Sequence, residues 1–92
     1  MIRSFRDKDS EALFSGLKPQ RFRSIERAAG RKLHMLSEAK DLRDLGGIPG
    51  NNLEKLSRDR AREWSIRIND RWRVCFAWSE GDAFDVEIVD YH

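Results

Sequence analysis

This chain of 92 residues predicts an α+β fold: two N-terminal helices packed on one face of a small antiparallel β-sheet. Three observations carry the expectation. In the last thirty residues, apolar and polar side chains alternate with a period of two, the mark of half-buried strands. Upstream, Phe22, Ile25, Ala29, Leu33 and Leu36 recur at spacings of three and four, which builds one apolar stripe on a helix. Between these halves lies GGIPGNN, residues 46–52, too rich in Gly, Pro and Asn for either period.

In chain order, Met1 to Phe5 suit a short first strand. Asp7, Asp9, Ser10 and Glu11 favour a helix start, because their oxygens satisfy free N–H groups and complement the helix dipole. A helix from about Ser10 to Gly16 would bury Leu13, Phe14 and Leu17, with Gly16 and Pro19 closing it and opening the next. That second helix runs from about Pro19 to Glu38 and turns its stripe toward the sheet. Gly30 inside it costs up to ~1 kcal/mol relative to Ala, tolerable where it permits close packing. Arg23, Arg27 and Arg31 form a solvated face, and His34 is a surface histidine off the stripe. A short helical turn follows at Lys40 to Leu45. After the breaker segment, Leu53 and Leu56 bracket Glu54 and Lys55 in a short edge strand, and Ser57 to Arg62 make a basic loop beside the sheet.

The C-terminal strands have a readable register. With Asn69, Asp70 and Arg71 as the loop, Ile68 faces Trp72, Ile66 faces Val74 and Trp64 faces Phe76, whereas a slip of one residue would send half of these into water. Arg67 then lies opposite Arg73, and facing like charges weaken a sheet. Such a pair persists more easily with an anion between the two. Ser79 to Ala83 form the next connection, pairing Trp78 with Phe84, Phe76 with Val86 and Val74 with Ile88. On the polar face Arg73 meets Val89, with Glu87 and Tyr91 as diagonal neighbours and His92 at the rim.

Composition bounds the class. The length suits one small domain over residues 1–92, and no apolar run approaches the ~20 residues of a membrane span. The N-terminus lacks a signal-peptide core, so the expected location is the cytoplasm. Cys75 is the sole cysteine, which excludes an internal disulfide and suits a reducing compartment. A net charge of +2 says little about partners, although arginine is the side chain that grips phosphate with a planar fork.

Two His and one Cys, far apart, give no metal-ligand spacing. No Gly-rich loop has the ending of a phosphate-binding motif. What remains is a metal-free, cofactor-free set suited to cutting RNA. That reaction needs the 2′-OH deprotonated, the pentavalent phosphate's charge stabilised and the leaving 5′ oxygen protonated. Arg73, with Arg67 or Arg71 beside it, can stabilise charge. His92 can be the acid, and Glu87, Glu54 or Asp90 the base. Tyr91 can stack on a splayed base.

The stretches WSIRINDRWRVCF (64–76) and VEIVDYH (86–92) resemble the HigB toxins of the RelE superfamily, their GraT-like members most of all. The likeness extends to MIRSF at the start and to Asp41 to Asn51, and the Trp72-Arg73 pair with a terminal Asp90-Tyr91-His92 is its specific combination. The resemblance implies a RelE-like fold and a type II toxin that enters the ribosomal A site and cuts translated mRNA. It also implies a cognate helix-turn-helix antitoxin of the HigA or GraA kind, in a heterotetramer built through the antitoxin dimer. Carried over by position, Arg73 is the phosphate-stabilising arginine, and Asp90, Tyr91 and His92 are the C-terminal catalytic residues. Glu54 and Ser57 stand where other members often have His and Lys, which implies a weaker or differently tuned nuclease. The candidate set is therefore Arg73, Asp90, Tyr91, His92 and Glu54 for catalysis, with Arg67, Arg71, Arg58, Arg60 and Lys55 for RNA binding. Two other readings keep the fold: a ParE-like gyrase inhibitor, and a catalytically weak RNA- or ribosome-binding module.

Overall fold

The computed structural model describes residues 1–56 and 62–91. Three helices, α1 (Lys8–Phe14), α2 (Glu26–Glu38) and α3 (Leu42–Gly46), precede four strands, β1 (Glu54–Lys55), β2 (Glu63–Arg67), β3 (Trp72–Ser79) and β4 (Asp82–Asp90). The strands form one antiparallel sheet in the order β1-β2-β3-β4. This is the expected α+β architecture with the helices on one face.

Each helix follows from its local chemistry. Asp7 caps α1 by accepting from the Ser10 N–H at 2.9 Å, which starts the helix two residues before the expected Ser10. Leu13 is buried, but Leu17, expected inside, is 63% exposed because the helix stops at Phe14 and Gly16 turns the chain at φ +95°. The expected second helix splits into a 3-10 segment, Gln20–Ile25, and α2. Phe22, Ile25, Ala29, Leu33 and Leu36 are all buried as the stripe requires, and the Phe22 ring meets Trp72 edge-on at 5.7 Å. His34 is exposed, with its ring 5.0 Å from that of Phe14. An Asp41/Asp44 capping box starts α3, satisfying two free N–H groups reciprocally.

The first C-terminal hairpin has the expected register, Trp64 opposite Phe76, Ile66 opposite Val74 and Arg67 opposite Arg73. The second differs at its turn. Glu80 and Gly81, at φ +50° and +84°, make a two-residue turn whose positive φ at both positions matches strand twist. Trp78 therefore pairs with Ala83 and Ala77 with Phe84, rather than Trp78 with Phe84. A bulge on β4, with Asp85 at φ +53°, absorbs the extra residue opposite Phe76, and the expected Val74–Ile88 and Arg73–Val89 pairs are restored beyond it.

The N-terminus runs along β4 as two isolated parallel bridges, Ile2 with Ala83 and Phe5 with Val86, instead of a full strand. Backbone alternation puts Phe5 against the helix-side core, and Arg6 reaches the other face, where it contacts Glu63 and Glu87. Among the described residues no helix is long and apolar enough to cross a membrane.

Gly30 has nothing within 4 Å of where a Cβ would stand, so close packing is not its reason. Gly30→Ala should raise the unfolding free energy by about 0.5–1 kcal/mol, read as a higher denaturant midpoint at unchanged slope. Asp82 accepts from Arg3 Nε at 3.0 Å and lies 3.4 Å from the N-terminal ammonium. The Arg3 hydrogen bond is the main reason its carboxyl sits below the usual carboxylate range. A lowered folded pKa contributes stability at neutral pH that is lost as pH falls through it. Stability of Asp82→Asn should accordingly decline less steeply below about pH 4 than that of the unaltered chain in acid titrations followed by circular dichroism.

Candidate active site

The sheet face away from the helices carries Glu63, Ser65 and Arg67 of β2, and Arg73, Cys75 and Ala77 of β3. Expected as a solvated face, it is largely covered: Ser65 and Cys75 are fully buried, and Glu63 and Arg73 are each 9% exposed. Arg73 is pinned from several sides. Its Nε donates to Ser65 Oγ at 2.8 Å, and its Nη2 to the carbonyl oxygens of Asn52 at 2.5 Å and Ser65 at 3.4 Å. Nη1 points to Glu54, whose Oε1 is 3.6 Å away on a side chain that is 61% exposed. An exposed carboxylate, Glu54, thus stands beside a guanidinium that is itself nearly buried.

The loop that supplies the Asn52 carbonyl is itself anchored. Asn51 is fully buried. Its side-chain amide donates to the Leu45 carbonyl at 3.0 Å and to Met35 Sδ at 3.2 Å, its Oδ1 accepts from Lys32 Nζ, and its own carbonyl accepts from the Arg67 N–H at 2.7 Å. Asn52 follows in the left-handed region at φ +43°, which Asn tolerates better than most residues. Burial, followed by the charges of Arg31 and Arg67, lowers the Lys32 pKa. Asn51, Asn52 and Ser65 escape sequence reasoning because their partners are distant. The available signal was a small polar residue, Ser65, on a strand between two large apolar ones.

Arg67 and Arg73 face each other as expected, but no anion is needed between them. Arg67 turns to Asp70, with which it forms an ion pair, while Arg73 turns under Asn52 and Glu54. Arg71 does not join Arg73. Its Nε bonds both oxygens of Asp90, at 3.0 and 2.9 Å, and its Nη2 lies 2.8 Å from Oδ2. The hydrogen bond to Asp90 is the main cause that raises the Arg71 pKa. Asp90 pairs with Trp72, so strand parity gives it the helix-side face, and Arg71 holds it at the rim. The Tyr91 N–H donates to the Arg71 carbonyl at 2.5 Å, which clips the chain end to the first hairpin. Tyr91 is 45% exposed and stands two positions after Val89, the partner of Arg73.

Glu87 sits opposite Cys75 and is held by Arg6, whose Nη1 is 3.2 Å from Glu87 Oε1 and Nη2 3.3 Å from Glu63 Oε2. Arg6, missed in the sequence, ties these two carboxylates across β3. Lys55 is exposed with its Nζ 5.9 Å from the Trp64 ring centre. The structure therefore brings Arg73 and Glu54 together and clips Tyr91 and Asp90 to Arg71, leaving Arg67 and Lys55 beside other partners. Arg58, Arg60, Ser57 and His92 lie outside the described residues. Among the described residues no cluster of His, Cys, Asp or Glu could hold a metal ion.

Helices on one face of a four-stranded antiparallel sheet, with the Arg73–Glu54 pair on the other, define a small α+β protein. A solved structure of a YoeB/ParE toxin from Agrobacterium tumefaciens superposes with a TM-score of 0.54, covering 99% of this chain and 96% of that one at 16% identity, a likeness of fold. Residues 3–92 match the family described as the RelE-like toxin of type II toxin-antitoxin system HigB. Two relatives agree: Toxin HigB-1 of Vibrio cholerae serotype O1, 37% identical with 92% of each chain covered, and Endoribonuclease HigB of Proteus vulgaris, 32% identical over the whole of both chains. The chain belongs to the HigB-like toxins.

Replacing Asn51 tests the anchor. Asn51→Ala removes the hydrogen bonds to the Leu45 carbonyl, which keeps the Ile48 N–H, and from the Lys32 ammonium, and a lost hydrogen bond costs about 0.5–1.5 kcal/mol. A fall of that size in denaturant-unfolding free energy is expected, and a change under about 0.5 kcal/mol, the usual range for inert surface sites, would refute the anchoring role.

Proposed function

We propose that this toxin is an endoribonuclease that cuts mRNA on the translating ribosome, in the cytoplasm, and is held inactive by a helix-turn-helix antitoxin. The observation that carries the reading is the Arg73 Nη1–Glu54 Oε1 approach of 3.6 Å on a rigidly held guanidinium. The name of the Proteus vulgaris relative, Endoribonuclease HigB, supports the same class.

Glu54 is the base that suits the geometry. Both Asp90 oxygens accept hydrogen bonds from the Arg71 guanidinium and Glu87 accepts one from Arg6, whereas Glu54 is 61% exposed and meets Arg73 only at 3.6 Å, beyond hydrogen-bond length, which leaves it open to an incoming 2′-OH. Glu54 withdraws the 2′-OH proton, the 2′ oxygen attacks phosphorus, and the P–O5′ bond breaks. The products are a 2′,3′-cyclic phosphate and a 5′-hydroxyl. Arg73 meets the charge that builds on the equatorial phosphate oxygens, and because Ser65 and Asn52 already fix it, little reorganisation accompanies the reaction. Tyr91 offers a face for a splayed base. The proton for the 5′ oxygen falls to His92, the role its chemistry and position in the sequence suit. Arg67, Arg71, Arg58, Arg60 and Lys55 complete the proposed RNA contacts.

Primer extension on mRNA from a translation extract tests this with the purified toxin. Discrete cuts are expected only while ribosomes translate. Arg73→Ala should lower the cleavage rate by about 10²- to 10³-fold, and Glu54→Gln by about 10²- to 10⁴-fold. Cutting by Glu54→Gln at the rate of the unaltered toxin removes Glu54 as base. Inhibition of gyrase supercoiling without any mRNA cuts would instead support the ParE-like reading.

A further inference from the structure

One corner of the sheet carries aromatic rings that the site above does not use. β3 outruns its neighbour: β2 begins at Glu63, opposite Ala77, while β3 continues through Trp78 to Ser79. Beyond that last pair lies a shallow groove of about 360 Å³, lined by Lys55, Arg62, Trp64, Ala77, Trp78 and Phe84 among others. Trp78 is set by the core, its ring meeting the buried Phe76 ring edge-on at 6.2 Å. The Glu80-Gly81 turn pairs Phe84 with Ala77, beside a methyl rather than the Trp78 ring. Phe84 is half-buried and, unlike Trp64 and Trp78, does not pack on the hydrophobic core. Core burial therefore leaves its ring at this corner unexplained.

Charge at this corner has one sign. Lys55 and Arg62 are exposed, and among the described residues no acidic one lines the groove and no ion pair engages either cation. Lys55 Nζ, 5.9 Å from the Trp64 ring centre, is within reach of cation–π attraction. The groove also adjoins the candidate active site. Lys55 follows Glu54 in β1 and pairs with Trp64, while Glu54 pairs with Ser65, which accepts from Arg73. The two sites are thus one residue apart on both strands, about 3.4 Å of rise, and strand alternation turns them to opposite sides of the β1 edge.

We propose that this corner groove seats the base of an unpaired nucleotide flanking the cut bond, with Lys55 and Arg62 on the adjoining phosphate. The inference rests on the RNA-directed reading of the toxin and adds a base-stacking subsite to it. A strand whose scissile phosphate meets Arg73 needs only to cross the two-residue β1 to reach Lys55. Rings beside unneutralised cations suit a nucleotide, which brings a π face and an anion together, and every base has such a face, so little preference among bases is expected. An apolar peptide without acidic residues would leave both cations unmet.

Quenching of tryptophan fluorescence in the purified toxin tests the groove. The probes are a single-stranded oligouridylate of about six nucleotides and an abasic ribose-phosphate chain of the same length. The oligouridylate is expected to quench and to bind at least ~5-fold tighter than the abasic chain. Trp78→Leu should weaken oligouridylate binding by about 5- to 150-fold, the range that base–aromatic stacking supplies, and Trp78→Phe, which keeps a ring, by less. In the double variant Lys55→Gln, Arg62→Gln the slope of log affinity against log salt should flatten by about 1.4, the loss of two single-strand phosphate contacts. Equal binding of the two probes overturns the proposal, as does no binding by the unaltered toxin or full affinity in Trp78→Leu. Should Trp78→Leu fail to fold by circular dichroism, the probe comparison and the two exposed cations decide the matter. Groove variants that bind oligouridylate normally but no longer capture the antitoxin assign the corner to a protein, and the nucleotide falls. Primer extension keeps the two readings apart. Base-dependent binding in a toxin that never cuts mRNA sinks the nuclease reading and leaves the groove standing, whereas ribosome-dependent cuts by a toxin that binds both probes equally sink the groove alone.

Discussion

The pairing of β2 with β3 sets Arg67 directly across from Arg73, and much of the surrounding structure serves to part those two charges. The loop turns back to give Arg67 the Asp70 carboxylate. In the other direction, Arg73 is drawn beneath the Asn52 carbonyl and beside Glu54, with Ser65 as its floor. Removing the repulsion this way has a chemical consequence. With Nε and Nη2 bonded to its own chain, the guanidinium is held in one orientation, with Nη1 directed at Glu54.

That arrangement depends on the helical layer as well as on the sheet. Lys32 and Met35 of α2 hold Asn51, and Asn51 holds both the carbonyl of Leu45 and the N–H of Arg67. The stripe that buries Leu33 and Leu36 thereby fixes the height of the loop above Arg73. A small protein gains rigidity at a polar site in this way, through one satisfied amide rather than through a larger core.

On the same face the N-terminus adds a second tie. Arg6 bridges Glu63 on β2 and Glu87 on β4, over a β3 whose Cys75 is buried. The face is thereby divided: Arg6 holds Glu63 and Glu87 at one end, while Arg73 and Arg71 lie at the other beside Glu54 and Asp90.

Hairpin register, the α2 stripe and the short β1 could be read from residues because each rests on local periodicity, which burial on one face enforces. The Glu80-Gly81 turn and the β4 bulge could not, since Ser79 to Ala83 offered several loop lengths and the parallel contact with Met1 to Phe5 lies far off in the chain. The site divides likewise. Sequence by itself determined which face Arg73 shares and that Asp90 falls on the other by parity. Only the tertiary structure decided that Arg71 takes Asp90, that Glu54 stands beside Arg73, and that Asn51, Ser65 and Arg6 matter. Those contacts join residues distant in the chain, and short-range pattern holds no information about which long side chain reaches which partner once the layers pack.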